Sequence, residues 1–212
     1  MGPVMFVFDV SETEPLQDAP SLPPEVENPF YATGTKIGSG LCRLIDNGKR
    51  DGVRVTWSKQ GSQSAGSIAI RIAGKGVSGS QPALSGFDSH RNPIMVNIPV
   101  GFDLVVNSML NRESQYATIV HELAHLYCGH LGSPNPKWWP DRRGMDSTSE
   151  EFEAESVAYL VCRRCQIDSR SGQYLANFVS KHAQVPRISL ELVMTSARLI
   201  ETMTRKRLKI RT

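Results

Sequence analysis

His121-Glu122-Leu123-Ala124-His125 constrains this chain more than any other stretch, because it lies inside a helical pattern running from Tyr116 to Tyr127. Residues four apart on an α-helix sit about 40° apart around the axis and about 6 Å along it, so both imidazoles can reach one ion. A carboxylate in the second position can then take a proton from a water held beside that ion. Tyr116, Ile119, Val120, Leu123 and Tyr127 recur at helical spacing and form one apolar stripe, and His121 and His125 fall away from it. A histidine satisfied within a core sits on or beside the apolar face, whereas these two face the side where a cleft would lie. The pattern predicts a zinc-binding helix with Glu122 as general base. Asn111 is its expected N-cap, and Gly129 and Gly132 are expected to stop it near His130.

A catalytic zinc normally takes three protein ligands, so the histidines need a partner. The next helix is expected to open on a capping box of Ser147 and Glu150 and to run to about Cys165. On it Glu151 and Glu155 share a face with Ala158 and Cys162, while Glu153 points nearly opposite. Glu151 is therefore the expected third ligand, and Glu155 the acceptor for the free N–H of a ligating histidine. Glu153 is the alternative ligand. These acids could instead serve only the helix N-terminus, where negative charge is favourable. A competing constellation joins Cys162 and Cys165 with Cys128 and His130 as a structural zinc site, against which the thiols fit a helical apolar pattern as small buried residues. For an oxyanion donor the sequence offers Tyr159, His130, Arg142 and Arg143 without ranking them. Trp138 and Trp139 could wall or cover a pocket, and a strand at Ile94–Ile98 could take substrate backbone along its edge.

The run 116–130, followed by 151–160, resembles the zincin-like metallopeptidases of the ImmA/IrrE type and the peptidase domain of ArdC-type antirestriction proteins. Those families pair HExxH with a following helix bearing E-x-x-x-[END]. The resemblance implies His121, His125 and Glu151 as zinc ligands, Glu122 as general base and Glu155 as the residue behind a ligand. It implies hydrolysis of peptide bonds in one specific, regulatory protein substrate, with a link to mobile elements or antirestriction. Residues 6–14 are also similar to the strand that ends the ArdC-type N-terminal domain. A single-stranded-DNA-binding domain precedes that strand in those proteins and has no counterpart before Phe6 in this sequence, a departure that speaks against direct antirestriction activity.

At 212 residues, 40% hydrophobic and 21% charged, the chain can bury one good-sized core. The expected fold is α+β: a single zincin-like metallopeptidase domain over 31–212, with a small mixed or antiparallel sheet packed on the HExxH helix and a C-terminal helical part. Residues 1–30 are expected to form a strand at Val4–Val10 and an extended arm rich in proline and acids. Val53–Ser58 and Ile68–Ile72 alternate as strands and read as a hairpin across the Gly- and Ser-rich residues 59–67, with a loop from Gly74 to Pro93 before Ile94–Ile98. Leu41–Ile45 is expected to make a few helical turns that Asn47-Gly48 stops, and further helices are expected over Gly172–Lys181 and Ile188–Lys206.

No apolar run reaches the length of a membrane span and the start lacks a basic n-region, so neither a membrane nor a secretory address is expected. Four cysteines make no disulfide framework in a chain this long, which favours a reducing cytoplasm. Net charge is +3 but uneven: the first 35 residues carry no Lys or Arg, while Arg205, Lys206, Arg207, Lys209 and Arg211 crowd the end. Such an end could serve a helix C-terminus, contact nucleic acid, or dock on the acidic arm of the same or another copy of the chain. The second function class is thus a non-proteolytic zinc-fold protein that binds nucleic acid or a partner protein.

Overall fold

The computed structural model describes residues 9, 12–35, 37–71 and 79–211, so the expected strand at Val4–Val10 and the Ile72 end of another lie outside the described residues. In chain order the elements are α1 (Pro24–Glu27), β1 (Thr33–Gly34), α2 (Gly40–Arg50), β2 (Val53–Ser58), β3 (Gly66–Ile70), β4 (Ser80–Phe87), β5 (Pro93–Pro99) and β6 (Phe102–Asn107). They continue as α3 (Arg112–Tyr127), α4 (Ser147–Arg164), β7 (Ile167–Asp168), α5 (Ser171–His182) and α6 (Leu190–Arg205). This is a mixed α+β chain with small sheets. Among the described residues no helix is long and apolar enough to cross a membrane.

The central sheet has the order β2-β6-β3, with β2 parallel and β3 antiparallel to β6. The expected β2–β3 hairpin is therefore wrong, because β6 is inserted between the two strands. Leu104 and Val106 of β6 are fully buried, and Asn107 at its end donates to the carbonyls of Gln60, Gly61 and Ser64, holding the crossing loop over the sheet end. The expected loop at 74–93 is also corrected: Ser80–Phe87 is β4, and it pairs antiparallel with β5 as a separate two-stranded ribbon.

Helix α3 lies against β3 and β6 on one side and α4 and α6 on the other. Its predicted stripe of Tyr116, Ile119, Val120, Leu123 and Tyr127 is buried, while Ala117, His121 and His125, four apart, remain partly accessible along one line. Asn111 caps it, the side-chain oxygen accepting from the Ser114 N–H and the amide donating to the Ala32 carbonyl, while Ala32 N–H donates to Ser114 Oγ. Asn111→Ala is expected to lower stability by about 1–2 kcal/mol, since a cap and a tie to the arm are lost together; urea unfolding checks it. The helix ends at Tyr127, somewhat before the expected His130.

Three local expectations are corrected, two of them by side-chain hydrogen bonds. Helix α2 runs through Asn47-Gly48 to Arg50, because buried Asn47 donates to the carbonyls of Met203 and Lys206 and accepts from Leu208 N–H, tying off the end of α6. The cap of α4 is Asp146, which accepts from Ser149 N–H, in place of the Ser147–Glu150 box. The arm holds one helical turn, α1. The basic end is partly used inside the fold: Arg211 pairs with Asp51 at 2.9 Å and lies 5.7 Å over the Trp139 ring, while Arg205, Lys206, Arg207 and Lys209 are exposed.

Candidate metal centre

Helices α3 and α4 pack directly on one another, and their facing surfaces carry the polar residues that the apolar stripes leave over. His121 Nε2 and His125 Nε2 lie 3.2 Å apart. Glu151 completes the group, with Oε2 3.5 Å from His121 Nε2 and Oε1 3.4 Å from His125 Nε2. An ion held tetrahedrally by bonds of about 2.0–2.1 Å separates its donor atoms by roughly 3.3–3.4 Å, close to the separation of the two imidazole nitrogens and to the distance from each of them to one Glu151 oxygen. This is one of two groups among the described residues that could hold a metal.

The charge distribution calls for a cation. Burial alone would lower the proton affinity of His121, but its bond to Glu151 and the charges of Glu155, Glu122 and Glu151 raise its pKa to about 9. Glu151 is held far below the ordinary carboxylate range by its bonds to His121 and His125. Glu155 sits 3.6 Å from His121 Nδ1 through Oε1, an ion-pair contact just beyond hydrogen-bond reach, and its buried Oε2 has no hydrogen-bond partner among the described residues. Burial raises the Glu122 carboxyl, while His121 and His125 and a hydrogen bond from the Ile68 backbone draw it down.

A cavity of about 430 Å³ opens beside His121, Glu122, Glu151 and Glu155. Its other walls are Ala117 and Thr118 of α3, residues 63–66 leading into β3, Pro29 and Phe30 of the arm, and Ser169–Ser171 with Tyr174 of α5. Gly66 is required there: an added Cβ would come 2.6 Å from the Val105 oxygen and 2.7 Å from Thr118 Cγ2. Arg71 N–H and the Ala65 carbonyl bond to the β6 side, so the backbone groups of Gly66, Ile68 and Ile70 turn to the other edge of β3, which pairs with no strand among the described residues and where the Ile68 backbone bonds Glu122. That edge adjoins the cavity. Ile94–Ile98, the strand expected from sequence to meet a substrate, pairs with β4 and does not line it.

The other expected contacts are redistributed. Tyr159 does not line the cavity, and its ring lies against Gly172. Arg142 is engaged bidentately by Glu153, and Arg143 is exposed and paired with Asp141. Trp139 is a core residue rather than a lid: it is 5% exposed, donates from Nε1 to the Gly132 carbonyl and meets Tyr127 edge to face at 5.3 Å. Trp138 packs against the same core. Tyr174 escaped the sequence reading because nothing local marks it, only the return of α5 beside α4. Its phenol is raised by burial and by the charges of Glu151 and Glu155, so it stays a donor.

The second possible metal group is Cys128, His130 and Glu153, all buried. Its cation is already present as Arg142, whose guanidinium bonds both Glu153 oxygens at 2.6 and 2.9 Å. The Cys128 thiol is pushed up to about 11 by burial and donates to Ser196 Oγ. Cys162 is pushed up to about 12 by burial, and Cys165 lies 3.6 Å from the Tyr116 hydroxyl. Among the described residues no group joins these two thiols with Cys128 and His130. Glu153 belongs to this buried cluster and not to the group of His121, His125 and Glu151. No protein-family model, curated protein or solved structure matches the chain.

Proposed function

We propose that this chain is a zinc-dependent peptidase of zincin-like fold, kin to the ImmA/IrrE and ArdC-type peptidases, acting on a specific regulatory protein. The observation that carries the proposal is the grouping of His121 Nε2, His125 Nε2 and the Glu151 carboxylate, 3.2 Å between the imidazole nitrogens and 3.4–3.5 Å from each to one Glu151 oxygen, set beside Glu122 at a cavity that Gly66 of β3 also lines. Bound on those three residues, zinc supplies a Lewis acid that polarises a carbonyl and makes water a stronger acid. Glu122, buried and with its carboxyl raised, takes the proton of the attacking water and delivers it to the leaving amine. The outward backbone groups of Gly66 and Ile70 on β3 receive an extended substrate by strand addition, which aligns its carbonyl before reaction. Tyr174, which also lines the cavity, donates to the oxygen on which charge develops.

Purified protein is expected to hold one zinc per chain and to cleave within a mixed-sequence peptide library read by mass spectrometry. Chelation with 1,10-phenanthroline should stop cleavage and added zinc restore it. Absence of bound metal, or cleavage that survives chelation, would sink the proposal. Tyr174→Phe is expected to lower kcat roughly 10²-fold with little change in KM, since its hydroxyl acts only as the charge forms.

The second reading, nucleic-acid binding on the same zinc fold, rests on the exposed Arg205, Lys206, Arg207 and Lys209. Salt-dependent retention on DNA that disappears when those four are replaced would favour it, and no retention at low salt rules it out.

A further inference from the structure

The end of α3 carries a buried polar chain that the proposed hydrolysis does not use. His125 Nδ1 lies 3.0 Å from His130 Nδ1, and the two rings meet edge to face at 5.1 Å. His130 Nε2 lies 2.9 Å from Glu153 Oε2. The Glu153 oxygens also accept from Arg142 and from the Ser189 backbone N–H at 2.6 Å. The side chains of His130 and Glu153 are 1% and 0% exposed.

The backbone sets this arrangement. Gly129 has φ +89, and an added Cβ would run into the Pro140 carbonyl, so the chain reverses there as only glycine allows. His130 N–H then bonds the His125 carbonyl at 3.0 Å, and Arg142 N–H bonds the Gly129 carbonyl at 2.8 Å. The helix cap itself brings the third imidazole against the second.

For a neutral His130 ring, proton bookkeeping along this chain has one solution. Glu153 is a carboxylate, because Arg142 and Ser189 donate to it, so the His130–Glu153 bond needs a proton on His130 Nε2. With His130 neutral, its Nδ1 is an acceptor. The bond at 3.0 Å therefore needs the proton on His125 Nδ1, which leaves the lone pair of His125 on Nε2, the atom 3.2 Å from His121 Nε2.

We propose that His130, anchored by Glu153 and Arg142, is a positioning residue that holds His125 in the Nδ1–H tautomer with Nε2 aimed at the metal. His121 is steered differently, by Glu155 at 3.6 Å from its Nδ1. One ligand answers directly to a carboxylate and the other through a second imidazole. The inference rests on the zinc-site reading above.

Two polar substitutions separate this role from a merely structural one. In His130→Asn the amide oxygen can stand where Nδ1 accepts from His125, while the reach to Glu153 is lost. In His130→Gln the amide nitrogen can stand where Nε2 meets Glu153, while the acceptor for His125 is lost. Zinc affinity is read by competition with a chromophoric chelator, and coordination by the visible spectrum of the cobalt-substituted chains. The Gln variant is expected to bind zinc about 10–100-fold more weakly than wild type, and the Asn variant to stay within about fivefold with a wild-type cobalt spectrum. A residue that merely secures Glu153 would give the reverse order. His130→Leu, lacking both groups, should bind no more tightly than the Gln variant, and it stands in if that chain does not fold. A Gln or Leu variant equal to wild type, or an Asn variant as weak as Gln, overturns the proposal. If wild type itself binds no zinc, or if Glu151→Ala leaves binding unchanged, the zinc site fails and takes the relay with it, a pattern distinct from a failure at His130 alone.

Discussion

Glu122→Gln is expected to leave zinc bound and to reduce kcat/KM about 10²–10⁴-fold, the span that a positioned general base contributes, equivalent to about 3–5.5 kcal/mol of barrier. The substitution is nearly isosteric, and the site is 9% exposed and close-packed, so shape is kept while the proton acceptor is lost. Metal should stay, because His121, His125 and Glu151 form the donor triangle without Glu122. Loss of one carboxylate also relieves repulsion with Glu151, one of the causes raising Glu122. Zinc content and steady-state cleavage of a library-derived peptide check both halves. Unchanged cleavage by the glutamine variant would remove Glu122 from the chemistry, and loss of metal would make it a ligand.

The second large effect falls on stability. Glu153→Ala is expected to cost about 3–5 kcal/mol, because removing one partner of a buried ion pair leaves the other without compensation. Glu153 is 0% exposed, and its loss leaves the Ser189 N–H and the His130 Nε2 without their acceptor and the Arg142 guanidinium with only the Cys128 carbonyl. Glu151→Ala should behave oppositely. Its side chain is 46% exposed near the start of α4, so the fold should be little changed, while metal binding is lost with the third donor. Urea unfolding beside zinc content separates the two residues: one variant loses stability, the other metal. If Glu153→Ala alone lost its zinc at unchanged stability, the ligand assignment would have to be exchanged.

Two residues apart on one helix, Glu151 and Glu153 were separable from sequence because α-helical phase turns them about 200° from each other. The same local rule placed the apolar stripe of α3 and left His121 and His125 off it. Strand partners were not legible in this way. Phe102, Leu104 and Val106 carry the period-two signal of β6, yet no strand was expected between Ile98 and Asn111. Alternation reports which residues share a face and says nothing of which strand lies alongside, so a hairpin between β2 and β3 looked consistent until β6 was found between them. Adjacent tryptophans in a turn-rich loop suggested a lid, but Trp139 finds a carbonyl for its Nε1–H and an aromatic neighbour, and so packs inward.

By itself the sequence determined the helical spacing of His121, Glu122 and His125, the helix that carries Glu151 and Glu155 in phase, and the apolar faces that hold both helices inward. These follow from backbone geometry acting over a few residues. Only the tertiary structure decided that the free edge beside the cavity belongs to β3, that Tyr174 and not Tyr159 faces it, and that His130 belongs behind His125 with Glu153 and Arg142. Each of those depends on close approach between residues far apart in the chain, through Gly66 against Thr118, α5 beside α4, and the reversal at Gly129. Local periodicity carries no record of such approaches, because they are selected by which packed arrangement buries the apolar faces and satisfies the buried polar groups together.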